Sequence, residues 1–274
     1  MARIWLFSSL GLGLVAGVVF AVFPSWDLDV AELFFKADAS KFTHAFSQPL
    51  NAIRGGLNLL PWLLAIPPIA LLVLKLIFPA WRMPIAPSVV IYLVASFVIG
   101  PGLFANVMLK ENWGRPRPNQ VEQFGGTAHF QPWWRSSSEC PRNCSFVSGE
   151  ASQGFWLVAP ASLAPPQLRP VAMGGAVVYG ATVGGLRMVF GRHFLTDILF
   201  SGVITIAVVM ALYLRLIDPA RRNDERVERA IVRTAAVLHR GVAAVLSGAG
   251  FVLTKAGGRL RAAAAFIRHR IALL

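Results

Sequence analysis

The chain has 274 residues, of which 55% are hydrophobic and only 14% charged, where an ordinary soluble domain carries roughly 25% charged residues. Soluble globular, disordered, collagen-like and disulfide-scaffold classes fit that composition badly. The formal net charge is +13, the pI near 11.1 and the mean hydropathy +0.59. Such a balance points to a membrane protein with cationic ends beside anionic lipid, and no basic soluble domain is visible to support nucleic-acid binding.

A helix that crosses a bilayer needs about 20 mostly apolar residues. The first such stretch is Ile4 to Phe23. It is longer than a secretory h-region and no clean small-x-small site follows, so it reads as a retained anchor. The second is Leu57 to Phe78, interrupted by Pro67 and Pro68. The third is Ser88 to Leu109, carrying Gly100-Pro101-Gly102. The fourth, from near Ala151 to about Ala164, is short. The fifth is Val171 to Phe190, rich in small residues that let helices approach closely. The sixth is Leu195 to Leu216, with Asp197 near its start. The expected fold is therefore all-α, a polytopic membrane protein of six spans. Residues 1–56 hold the first span and an outside loop, 57–216 the core, and 217–274 a basic tail. No internal repeat of the transporter kind is visible.

Lys and Arg set the orientation. With both termini inside, Arg3, the Lys75 to Arg82 turn, the Pro165 to Pro170 turn and the tail are cytoplasmic. The tail holds 11 Lys/Arg and 4 Asp/Glu, a net of 11 − 4 = +7. One loop breaks the rule. Lys110, Arg115, Arg117, Arg135 and Arg142 fall outside, and cations there need another purpose. In the tail, Val227, Ile231, Leu238, Val242 and Val245 recur at helical spacing opposite Arg226, Arg229, Arg233 and Arg240. This pattern fits a helix lying on the inner leaflet, and it also fits a solvated basic helix.

The chemistry-bearing residues share one side of a six-span chain. Lys110 and Arg117 follow span three. Ser148-Gly149-Glu150 precede span four. Arg187 ends span five, and His193 and Asp197 open span six. Polar groups at that depth are costly unless they pair or face water. Gly114, Pro116 and Pro118 stop the helix and stiffen the backbone that carries Arg115 and Arg117, and rigidly held cations suit a phosphate. Ser148 and Gly149 begin a helix, where free backbone N–H groups bind anions. His193 and Asp197 are spaced i, i+4. A carboxylate on one ring nitrogen leaves the other free to attack.

Lys110-x6-Arg117-Pro118, Ser148-Gly149 and Arg187-x5-His193-x3-Asp197 together resemble the three-part signature of the type 2 phosphatidic acid phosphatase superfamily of six-span lipid phosphatases. The resemblance implies His193 as the nucleophile of a phosphohistidine intermediate and Asp197 as its orienting group. It implies Lys110, Arg117, Arg187, Ser148 and Gly149 as the phosphate site, with no metal and no cofactor. Three fixed cations can neutralise the equatorial phosphoryl oxygens of the transition state. The departure is Glu150, where the superfamily carries the histidine that protonates the leaving alcohol. Glu150 is expected to serve as that acid or as a water-orienting base. The other readings are an idle first-turn carboxylate, or proton supply by His129.

Cys140 and Cys144 bracket a short outside turn; in an oxidising periplasm they would form a disulfide, the alternative being two free thiols. Phe130, Trp113, Trp133 and Trp134 in the same loop fit an interfacial belt or a wall over the substrate headgroup. The expected activity is removal of phosphate from a membrane lipid at the periplasmic face of a bacterial inner membrane. The candidate substrates are undecaprenyl pyrophosphate, phosphatidylglycerol phosphate, phosphatidic acid or its diacylglycerol pyrophosphate relative, and lipid A phosphate. The Ser-Phe-Val-Ser-Gly-Glu form resembles lipid A phosphatase-like members. The alternatives are a phosphotransferase and a non-catalytic lipid-binding protein. Partners would be the phospholipid, polyprenyl or lipid A substrate and surrounding lipids, not nucleic acid.

Overall fold

The computed structural model describes residues 1–39, 41–44 and 47–245, and these are mainly helical. Helix α1 spans Ala2–Val22 and α2 spans Trp26–Glu32. A small antiparallel hairpin follows, β1 Phe35–Lys36 against β2 Lys41–Phe42. Helix α3, Gln48–Ile77, starts nine residues before the expected second span and runs 30 residues, about 45 Å at 1.5 Å per residue. It contains Pro61, Pro67 and Pro68, which membrane helices tolerate where neighbours satisfy the freed carbonyls.

Helix α4, Pro87–Phe97, passes into a π-helical stretch, Val98–Leu109, and then into the short α5, Lys110–Asn112. The wide winding begins just before Gly100-Pro101-Gly102. Pro101 has no N–H to keep the ordinary ladder. The fourth expected span is divided into α6, Gly149–Trp156, and α7, Val158–Ser162. Helices α8, Arg169–Val189, and α9, Leu195–Leu216, complete the bundle. Residues 224–245 form a further helix.

Among the described residues, four helical stretches are long and apolar enough to cross a membrane: Ala2–Val22, Gln48–Ile77, Pro87–Asn112 and Leu195–Leu216. The expected count was six. The shortfall has two physical sources. The fourth segment breaks at Leu157, and α8 trades large apolar residues for glycines.

Trp156 is fully buried at the centre of the bundle. Its ring meets Phe97 edge-on at 4.9 Å, and its Nε1–H donates to Ser96 Oγ at 2.9 Å. A buried tryptophan needs such a partner for its N–H. Helix α1 lies antiparallel on α9, with Gly13 against Val203 and Gly17 against Phe200.

The two ends of the bundle differ. At one end the start of α3 meets the start of α6. At the other, Lys75 Nζ donates to Glu228 Oε1 at 2.6 Å and to the Trp81 carbonyl at 2.7 Å. Ser88 binds Asp224 there through its hydroxyl and its amide. The tail helix is thus docked on the bundle at its beginning. Ile231 and Ala235 are buried, while Leu238, Val242 and Val245 are exposed. The remainder of the expected tail, residues 246–274, lies outside the described residues.

Candidate active site

Three chain segments meet where α5, α6 and α9 begin or end. Ser148 caps α6, its Oγ accepting from the Ala151 N–H at 3.3 Å. The N–H groups of Gly149 and Glu150, at the very start of α6, have no carbonyl of their own helix to bond. Ser201 Oγ donates to the carbonyls of Ser148 and Asp197 at 2.9 and 2.6 Å. That pair of bonds ties the start of α6 to the start of α9. Gly149 is required by close approach. A Cβ there would lie 2.4 Å from Asn106 Oδ1, and Asn106 is fixed by the Pro101 carbonyl at 2.7 Å.

His193 is 2% exposed. Its Nδ1 lies 2.7 Å from the Ser145 carbonyl, so Nδ1 carries the proton and Nε2 keeps its lone pair. Asp197 Oδ2 is 3.6 Å from Nδ1 and accepts from the Ser145 hydroxyl at 2.5 Å and the Phe194 amide at 2.8 Å. The sequence reading gave Asp197 the orienting role; the structure places the Ser145 carbonyl closer. Burial pushes the His193 pKa down to about 4, against the upward pull of Asp197.

Arg187 and Arg117 are almost buried, at 9% and 8% exposure. Arg117 Nη2 donates to the Asn143 carbonyl and side chain at 2.7 and 2.9 Å. Burial lowers the Arg117 pKa, and the neighbouring Arg192 lowers it further. Arg187 Nε is buried with no hydrogen-bond partner. An orphaned guanidinium N–H is costly, and a phosphate oxygen would satisfy it. Lys110, Arg117 and Arg187 are near enough to repel one another, and Arg117 and Arg187 both act on His193.

Glu150 sits among these cations. Arg54 donates to both of its oxygens, Nε to Oε2 at 2.8 Å and Nη2 to Oε1 at 2.9 Å. Asn58 adds a third bond at 2.9 Å, and Arg187 Nη1 lies 3.5 Å away. His129 stands elsewhere, 69% exposed and paired with Glu139 at 3.1 Å. The structure thus gathers Lys110, Arg117, Ser148, Gly149, Glu150, Arg187, His193 and Asp197 and leaves His129 on the surface.

Sequence reasoning missed three contributors. Arg54 and Asn58 come from α3, and the signal was there: Asn51, Arg54 and Asn58 are polar at i, i+3, i+7 on a mostly apolar helix. Ser145 acts through its carbonyl, which no sequence pattern reveals. Arg115, expected beside Arg117 as a cation for the phosphate, is instead fully buried, with Nη1 donating to Asp197 Oδ1 at 2.6 Å. Burial alone would lower its pKa, but Asp197 and Asp27 hold it above the ordinary arginine value.

The aromatic loop residues do not form a wall over the pocket. Trp133 stacks on Phe200 at 4.4 Å, and Trp113 packs on Phe146 and donates to the Trp133 carbonyl at 2.7 Å. They clamp the loop to α9, and Trp134 alone among them is exposed. Cys140 and Cys144 are joined as a disulfide next to Asn143, the Arg117 partner. Closing so short a ring contributes about 2 kcal/mol on the chain-entropy model. Cys140→Ser with Cys144→Ser is expected to lower the melting temperature by a few degrees and to weaken phosphate binding through Arg117. Thermal scans and product-inhibition constants measure the two effects.

The sequence pattern of the PAP2 superfamily matches residues 88–219. The chain is 37% identical over 225 residues to the lipid A 4'-phosphatase of Francisella tularensis subsp. novicida (strain U112), an alignment covering 78% of this chain and 98% of that protein. It is 38% identical over 119 residues to the lipid A 4'-phosphatases of Rhizobium leguminosarum and Rhizobium etli. Those alignments cover 43% of this chain, and 51% and 46% of the two rhizobial proteins. No solved structure matches.

Proposed function

The chain belongs to the PAP2 superfamily, and from that premise we propose that it removes a phosphate from lipid A or a closely related phosphorylated membrane lipid. Lipid A phosphate is preferred over the polyprenyl and glycerophospholipid candidates because the relatives carry that name. The observation that carries the reading is that Arg117 and Arg187, with Lys110 beside them, face an imidazole whose Nδ1 is committed to the Ser145 carbonyl.

The reaction divides into two displacements. The Nε2 lone pair of His193 attacks phosphorus, the ester P–O bond breaks, and the leaving oxygen takes a proton. Lys110, Arg117, Arg187 and the α6 N–H groups hold the phosphoryl oxygens as charge shifts onto them. The phosphorylated imidazole is cationic, and Asp197 offsets that charge. Water then attacks phosphorus, the N–P bond breaks, and His193 returns. No metal is needed in this scheme, since fixed cations supply the charge.

Glu150 carries the protons. A dianionic phosphate competes with its carboxylate for Arg54 and Arg187. The displaced carboxyl takes a proton from solvent, gives it to the leaving oxygen, and accepts one from the attacking water.

The broken α6–α7 pair and the glycine-rich α8 complete six crossings in this proposal, with the site at the periplasmic rim of a bacterial inner membrane. Both termini are then cytoplasmic. The +7 tail and its docking beside the Lys75 turn support this orientation.

Purified protein is expected to release phosphate from lipid A, with lower rates on the other lipids and no loss with chelator. In water labelled with heavy oxygen, each phosphate released should gain one labelled atom. Transfer of an unlabelled phosphoryl group to a lipid or sugar acceptor would identify a phosphotransferase. Binding without turnover would identify a non-catalytic lipid receptor.

A further inference from the structure

Behind the histidine lies a buried ionic chain that the superfamily signature does not include. Asp27, on α2, is 1% exposed, and Arg115 and Asp197 are fully buried. Arg115 Nη2 donates to Asp27 Oδ2 at 2.6 Å, and Nη1 donates to Asp197 Oδ1 at 2.6 Å. Asp27 also accepts from Thr196, the Asp197 neighbour, through the amide at 3.0 Å and the hydroxyl at 2.5 Å. The Thr196 hydroxyl in turn accepts from Arg115 Nη1 at 2.8 Å. Arg115 Nε is held by the Gln131 carbonyl at 2.9 Å, and its plane lies 4.4 Å from the Phe194 ring. Every charged member of this cluster is buried and hydrogen-bonded.

Charge bookkeeping gives the cluster a task. Asp197 must stay anionic toward His193, because the imidazole gains positive charge as Nε2 bonds to phosphorus. An arginine bonded to Asp197 alone would draw off that charge. Asp27 takes up the second face of the same guanidinium, and the pair becomes nearly neutral. Asp197 is then oriented by Arg115 without being neutralised by it. Resting on the proposed reaction, we infer that Asp27 is a positioning residue for catalysis, acting through Arg115 on the Asp197–His193 pair. It lies outside residues 88–219, the segment matched by the superfamily pattern.

The test is the pH dependence of kcat/KM for phosphate release by the full chain, read with kcat and KM separately. The charged groups facing His193 are Asp197 on α9, Arg187 on α8, and Arg117 on the loop. Asp27→Asn keeps the shape and one of the two acceptor oxygens but leaves the Arg115 charge uncompensated. The site becomes more positive, so the His193 limb moves to lower pH. Cationic imidazole is also less well supported, so kcat falls about tenfold with KM little changed. Arg115→Gln leaves two carboxylates facing each other and moves the same limb to higher pH. The double variant removes both charges and returns the limb toward its wild-type position.

A purely structural role predicts lower melting temperatures with all limbs unmoved and losses that add. That outcome overturns the inference. Should Asp27→Asn not fold, Arg115→Gln against the double variant still reads the compensation. An inactive wild type would overturn the proposed function and this inference with it. An active wild type with coincident profiles would overturn the inference alone.

Discussion

Replacing His193 with alanine is expected to cut phosphate release by roughly 10⁴-fold or more, with the helical fold retained. The ring is enclosed, and its Nδ1–H is held by the Ser145 carbonyl, which Phe146 and Val147 keep in place by their own burial, with Asp197 Oδ2 3.6 Å away. Its loss opens a small polar cavity beside the phosphate site and leaves the bundle core around Trp156 untouched. Circular dichroism and gel filtration should match the parent protein while the phosphate assay does not. Full activity in the variant would remove His193 from the nucleophilic role. The pH dependence follows from the same burial. With a pKa near 4, the imidazole is neutral and able to attack at every pH above that value. The acid limb set by His193 therefore falls well below the ordinary histidine range, and acidification to pH 5 should leave this limb almost unchanged.

Glu150→Gln is expected to lower kcat by roughly 10²- to 10³-fold, the usual scale for a lost proton-transfer group, with KM changed only a few-fold. Glutamine keeps the volume and one acceptor for Arg54, so the neighbouring cations stay in position. It cannot carry a proton to the leaving oxygen or take one from water. Glu150→His, which restores the residue the superfamily uses, should keep part of the activity and shift its optimum toward the imidazole range. An unchanged kcat for Glu150→Gln across the pH range would take Glu150 out of proton transfer. The arrangement of Lys110, Arg117, Arg187 and His193 would stand regardless.

What could be read from the sequence was local. The cap at Ser148 follows from a short side chain before an apolar helix, and the structure shows that bond. The spacing of His193 and Asp197 fixes their relation within a single turn. The parity of six apolar stretches put Lys110, Ser148, Arg187 and His193 at one end; the structure gathers these residues, while four of the stretches are long and apolar enough to cross a membrane. The hidden part was long-range. Arg115 meets Asp197 across 82 positions and Asp27 across 88. Arg54 reaches Glu150 across 96. No periodicity encodes such pairings; they exist only once α2 and α3 have docked. The fourth span was called short but its break at Leu157 was not seen, since hydropathy does not register a tightened turn. The tryptophans were ambiguous in sequence because aromatic residues serve equally as interfacial anchors and as packing between a loop and a helix.

The antiparallel seam of α1 along α9, with Gly13 and Gly17 beneath Val203 and Phe200, has a bearing on how this enzyme can be cut and recombined. The seam delivers α2, and with it the carboxylate of Asp27, to the start of α9. A fragment trimmed to the recognised signature region would keep every signature residue and lose that delivery. Chimaeras between relatives should therefore exchange the opening thirty residues and α9 as one inherited unit.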